Sequence, residues 1–468
     1  MAGYFFAGET KVRPGSYFNI GKNADAQTSY IDGITAIVFR ADFGPLGCAV
    51  ELRAGGNYEE IYGTGGTTDA IRQAFNGGAQ TVIASRLGEG GANASIVLKD
   101  EAGEAAVKIS AKYPGTRDFA VTVKEKITNP AVKQYIVHSG TNEVETVEFH
   151  AGENEAQALF EALELDKYFT AELVCEKESC VLENILQKKM EGGEDPVITT
   201  EDYANAFAAA EPYRFHTICV DTEDTSVHLL LAAFVARIFE SGSLTQAVIA
   251  ENSSVDLEER IARAASYNSE NIVYVLNPRA ETANEVLDGY QTAARLAGMI
   301  GAVSSNKSLT HTVIPDITEI SEMLTNTEII NAQRHGCLVL ARNTKRQIWI
   351  DSAINTLVDF PGDRDGGWNK IRRVKTRFEL LNRCNEATDS LIGSVDNDSN
   401  GRKTIIGKLN AVGSDMISEG KLTSFRVEES DAHTADVDSC WFRIDVVDKD
   451  SAEHIYTFFK FQFSTNIS

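Results

Sequence analysis

Positive charge is scarce in this chain of 468 residues: 44 Lys and Arg stand against 68 Asp and Glu, for a formal net charge of -24. Uniform contact with nucleic acid phosphates or anionic lipid would be repulsive, so neither partner is expected, and self-assembly has to overcome like-charge repulsion through specific contacts. No run approaches the roughly 18 apolar residues of a membrane span. Met1 to Ile20 lacks a basic region followed by a continuous apolar stretch, so no signal peptide is read there and residence in the cytoplasm is expected. Seven cysteines, odd in number and scattered, do not make a disulfide framework, and reduced, buried thiols are expected instead.

Catalytic signatures are equally sparse. Gly63-Thr-Gly-Gly-Thr-Thr68 precedes a helical pattern but lacks the Lys-Ser/Thr ending of a phosphate-cradling loop, so Thr67 or Thr68 is expected to cap the helix. Asp396-Asn-Asp-Ser-Asn-Gly401 opens like a calcium loop, yet Gly407 stands where a bidentate Glu is needed, and a tight polar turn is the reading. Cys175 and Cys180 have no second pair at zinc spacing. None of the eight histidines forms His-Glu-x-x-His, and His216, inside an apolar run, reads as a core residue. No catalytic residue, cofactor or metal site is assigned, and no enzymatic activity is expected.

What is present is ordinary globular material, 43% hydrophobic and 24% charged, enough for two to four domains of roughly 100 to 150 residues. Residues 1–22 read as an extended arm without a local partner strand, with Val12, Tyr17 and Phe18 among its strand residues. A β-α-β unit over Ile34–Phe39, Thr68–Phe75 and Thr81–Arg86 ends at the glycines of Gly88–Gly91. Short alternating strands then fill 92–190, an inserted β-domain. Helices and strands alternate again from Tyr203 to Ile300, which argues for a parallel α/β core over 23–91 and 191–345. A helix from about Lys370 to Asp389 follows.

Two features stand out. In the last segment, Ile455, Phe459, Phe461 and Phe463 fall on one face of an expected strand, which must either be central in its own sheet or join another subunit's. In Lys370-Ile-Arg-Arg-Val-Lys-Thr-Arg377, inward Ile371 and Val374 leave Arg372, Arg373 and Lys375 at least partly outward, as either a solvated face or a docking surface for an acidic partner.

Five blocks carry a resemblance. Lys11-Val-Arg-Pro-Gly-Ser-Tyr-Phe-Asn-Ile20, Asp69 to Leu87, Ala297 to Thr310, Asp351 to Leu357 and Ile392 to Arg402 are similar, in order, to contractile tail sheath proteins of phages of Gram-positive bacteria and of defective prophages. The inserted domain matches only loosely. The resemblance implies a mixed α/β and α+β multidomain fold with extended β-arms at 1–22 and 451–468 and a tube-facing α+β domain at 346–450. It further implies hexameric rings in a helical sheath, with an inner tail tube, a baseplate and a terminator as partners, assembled in the bacterial cytoplasm. An α/β enzyme with a ligand site at the strand carboxyl ends, or another structural tail or capsid component, are the competing expectations.

Overall fold

Ile34–Phe39 sends alternate side chains to opposite sides: Ile37 and Phe39 join one apolar core, Ala36 and Val38 another. The same alternation runs through Thr217–Val220, Gln246–Ala250 and Ile272–Val275, as expected of strands covered on both faces. In the computed structural model, which describes residues 2–4, 16–18 and 33–461 except 176, 178, 361, 363 and 364, these strands form a seven-stranded sheet. Its order is Cys337–Leu338, Ile272–Val275, Gln246–Ala250, Thr217–Val220, Ile34–Phe39, Thr81–Arg86 and Ala49–Arg53, all parallel except the last. Chain order reverses between Ile34–Phe39 and Thr217–Val220, so the carboxyl ends of those two strands flank the switch point.

Helices Asp69–Gly77 and Gly289–Ala302 cover one face. They touch backbone to backbone: a Cβ on Gly298 would lie 2.1 Å from the Ala74 carbonyl oxygen, so only glycine permits the approach. A reciprocal capping box, Asp288 with Gln291, starts the second helix. Helices Thr200–Ala210, Thr225–Glu240 and Leu257–Tyr267 line the opposite face.

Between the two halves of the core, residues 95–189 build two antiparallel sheets around their own apolar core, one of three strands and one of four. Phe43 of the main body enters that core, and the Arg117 guanidinium lies over the Phe43 and Phe119 rings while donating to the Glu60 carbonyl at 2.9 Å.

Beyond the sheet, helices Ile371–Asp389 and Ser399–Ser418 pack with the hairpin Leu422–Glu429 and Phe442–Asp448. The turn read at 396–401 is the start of the second helix, where the Asp398 carboxylate accepts from the Asn400 and Gly401 amides at 2.9 and 2.7 Å. Three expectations change. Ala2–Tyr4 and Ser16–Phe18 pair in parallel, so the amino-terminal arm has a local partner strand; it is three residues long, too short to announce itself by alternation. Thr68 holds the cap position without a side-chain bond to a helix amide, and Thr67 turns inward instead. Residues 449–461 form no strand.

Candidate functional site: the carboxy-terminal arm and the clamp at its base

The arm leaves the hairpin at Asp448 and is held at once. Arg373 grips Asp448 through Nε (2.6 Å) and Nη2 (2.9 Å), Lys370 Nζ reaches Asp450 at 2.7 Å and Glu453 at 3.2 Å, and the Glu453 carboxylate also accepts from Ser308 and Thr310. Burial disfavours ionisation of Asp450 and Glu453, but Lys370, with the Ser451 amide and the Ser451 and Ser308 hydroxyls, more than offsets it and holds both carboxyls below their usual range. A depressed folded-state pKa adds stability above the ordinary carboxylate pKa and loses it as pH falls through the depressed one. Hydrogen-exchange protection of 448–453 is therefore expected to stay level from about pH 8 to about pH 5 and to drop only in stronger acid. Loss of protection already at about pH 6 would show that the carboxylates are not what holds the base.

Past the clamp the polar contacts among the described residues stop. From His454 to Phe461 no hydrogen bond or ion pair ties the chain to any described residue, and Tyr456 and Phe458 are 84% and 98% exposed. Ile455, Phe459 and Phe461 are equally open, with Phe459 and Phe461 stacked on each other at 6.3 Å. A central strand of the same chain is thus not what the described residues form. Val12 and Phe463 lie outside the described residues, and Tyr17 and Phe18 lie in the strand Ser16–Phe18.

The basic stretch requires a correction. Arg372 and Lys375 are 8% and 7% exposed, and Arg373 is spent on Asp448 and Asp365. Helix Ile371–Asp389 is covered on nearly every side, because it is wedged between the main body and the terminal hairpin. Lys375 Nζ donates to the carbonyls of Ile300 (2.6 Å), Gly301 (3.0 Å) and Val303, at the end of helix Gly289–Ala302, where unpaired carbonyls and the helix dipole favour a cation. Arg377 stacks on Trp368 at 3.5 Å and pairs with Glu270 at 3.0 Å. The fully buried Glu379 takes Lys421 at 2.6 Å together with Arg383.

The switch point, where an α/β enzyme would keep its ligand, is closed by the chain itself. Arg40 and Asp221 each directly follow a buried strand, a signal the sequence reading passed over. The buried Asp221 carboxylate accepts from the Arg40 amide (3.1 Å), Arg40 Nε (2.7 Å), Thr67 Oγ1 (2.5 Å) and the Tyr203 hydroxyl (2.8 Å). Burial, then the neighbouring Asp221, raises the Tyr203 phenol and keeps it a donor. The glycine-rich loop beside it packs on the Asp42 carboxylate, which a Cβ on Gly63 or Gly65 would strike. An anionic side chain there opposes a phosphate.

At the other end of the strands, a cavity of about 10 Å³ between His216, Gln246, Lys375 and Phe378 has room for one water. His216 Nδ1 accepts from the Ile34 amide at 3.2 Å, and burial, followed by Lys375 and Arg214, drives its pKa down to about 3. Among the described residues no group of three or more His, Cys, Asp or Glu could hold a metal ion, and no helix is long and apolar enough to cross a membrane.

Residues 197–356 match the phage tail sheath protein central domain. The sheath tail protein of Desulfitobacterium hafniense superposes with a TM-score of 0.70 at 18% identity, over 93% of this chain and 100% of that one. That of Listeria innocua gives 0.68 at 18% identity, over 91% of this chain and 96% of that one. The contracted helical sheath of the anti-feeding prophage gives 0.51 at 11% identity, over 97% and 99%. At these identities the likeness is one of fold. Residues 197–356 are thus similar to the phage tail sheath protein central domain, in a chain with the mixed α/β, multidomain fold of solved sheath proteins.

Proposed function

We propose that the chain is the structural subunit of a contractile tail sheath, polymerising in helically stacked six-fold rings around an inner tube, above a baseplate, and shortening to drive that tube through a target envelope. The observation that carries this reading is the carboxy-terminal segment, with five large apolar side chains from Ile455 to Phe461 held in water beyond a clamped base. Each is worth roughly 1.5–3 kcal/mol once fully buried, so a segment of this kind is a strand in search of a sheet. Transferred from subunit to subunit without closing a ring, it generates an open filament. The residue blocks 1–22, 23–91, 92–190, 191–345, 346–450 and 451–468 serve in this reading as arm, core, insertion, core, tube-facing domain and arm.

With Arg372, Arg373 and Lys375 committed inside the subunit, contact with an acidic tube falls instead to the exposed Lys403 and Lys408 of helix Ser399–Ser418. Expressed alone, the protein is expected to form hollow tubes in negative-stain electron microscopy, since contraction is taken to be downhill and needs no nucleotide. Persistent monomers at high concentration and moderate salt would overturn the proposal. A small closed oligomer stabilised by a small ligand would favour the enzyme reading.

A further inference from the structure

We propose that Glu453 is a positioning residue: it fixes the point from which the carboxy-terminal arm reaches another copy of this chain, and so sets the register in which the arm is received. The inference rests on the reading of the arm as a donated strand.

Glu453 is the last described residue of the arm with a polar contact to another described residue, and its carboxylate is saturated. Oε1 accepts from Ser451 Oγ at 2.8 Å, Ser308 Oγ at 3.0 Å and Thr310 Oγ1 at 3.2 Å, while Oε2 faces Lys370 Nζ at 3.2 Å. The two main-body hydroxyls are themselves aimed. Ser308 Oγ accepts from the Thr310 amide at 3.2 Å and Thr310 Oγ1 from the Ala353 amide at 3.1 Å, which leaves each hydroxyl proton for Glu453. Leu309, between them, is sunk in the main apolar core. On the other side Lys370 bridges to Ile354, and the next amide, Ile371, donates to the Ala353 carbonyl at 3.1 Å. Both walls of the anchor are thus held, one by the main body and one by the start of helix Ile371–Asp389.

The arm's own sequence does little to choose a register. Odd positions carry Ile455, Phe459 and Phe461 and even positions Tyr456 and Phe458, so a slip by one residue trades one aromatic face for another instead of apolar for polar. Tether length has to decide instead. Extended, residues 454–461 reach roughly 27 Å from Glu453, and release of Glu453 moves the nearest anchor back to Asp450, adding about 10 Å of slack. That is enough for slips of about two or three residues.

Cryo-electron microscopy of tubes grown from the full chain reads the register as helical rise and twist. The parent is expected to give one lattice. Glu453→Ala should give mixed lattices and speed hydrogen exchange at 451–453 about tenfold, with the urea midpoint of the subunit unmoved. Inserting Gly-Ser between Glu453 and His454 keeps the anchor contacts and both faces of the arm while lengthening the tether. It should leave exchange at 451–453 at the parent rate and still lose the single lattice. The parent lattice from either variant, or parent-like exchange in Glu453→Ala, would overturn the positioning role and leave the sheath reading standing. A parent chain that forms no tubes would overturn both.

Discussion

Deleting residues 455–468 is expected to give a soluble subunit that folds as well as the full chain and forms no tubes. The cut falls after Glu453, so the clamp made by Lys370, Arg373, Ser308 and Thr310 survives, whereas a cut at 452 would remove Glu453 and its bonds. What is lost from the described residues makes no hydrogen bond or ion pair with any other described residue, so the unfolding free energy should change by less than about 0.5 kcal/mol. Assembly has everything to lose. Five exposed apolar side chains supply of order 10 kcal/mol of gross burial per subunit when received by a neighbour, and no gain in concentration replaces that. Sedimentation velocity and electron microscopy read assembly, and urea unfolding reads the fold. Tubes from the truncated chain would show that the segment is dispensable for polymerisation. A collapse of stability would show that it belongs to its own subunit.

Lys375→Met should lower the unfolding free energy by about 3 kcal/mol, and Lys375→Glu should yield little folded protein. The methionine matches the length of the lysine but leaves the carbonyls of Ile300, Gly301 and Val303 without their cation, in a site that one water can scarcely repair. Glutamate would aim an anion at those same oxygens and at the negative end of helix Gly289–Ala302. By contrast, Lys403→Glu with Lys408→Glu changes only solvated side chains and should leave stability within about 0.5 kcal/mol of the parent, whatever it does to partner binding. Denaturant titrations of both variants decide the matter: a Lys375→Met chain as stable as the parent would return that residue to the surface.

Much of the architecture is written in local pattern. Ile34–Phe39 and Ile272–Val275 are buried on both faces and read as continuous apolar strands, and the helices between them carry caps and apolar periods that need no tertiary knowledge. The basic helix failed for the opposite reason. Its apolar positions Ile371 and Val374 mark one inward face, but a helix enclosed on all sides can bury cations wherever a carboxylate or a helix terminus waits, and those partners, Asp448 and the Ile300 carbonyl among them, lie 75 residues away in either direction. Helix Ser399–Ser418 escaped notice because Gly401, Gly407 and Gly413 weaken its pattern, and Gly413 is there to admit the Phe425 ring. The alternating aromatics at 455–463 predict a strand, yet alternation describes only what a segment can pair with. The pairing itself requires a partner strand, and among the described residues none pairs with 455–461.

An arm that is already open in the isolated subunit changes the kinetics expected of growth. No local unfolding has to precede addition, so elongation should lack the steep temperature dependence of a process gated by opening, and its rate should follow collision frequency. At a net charge of -24 those collisions are throttled by repulsion between subunits, and raising ionic strength shortens the distance over which the repulsion acts. Salt should then serve as a throttle on nucleation: quiescent subunits at low ionic strength, and a lag followed by rapid growth once it is raised.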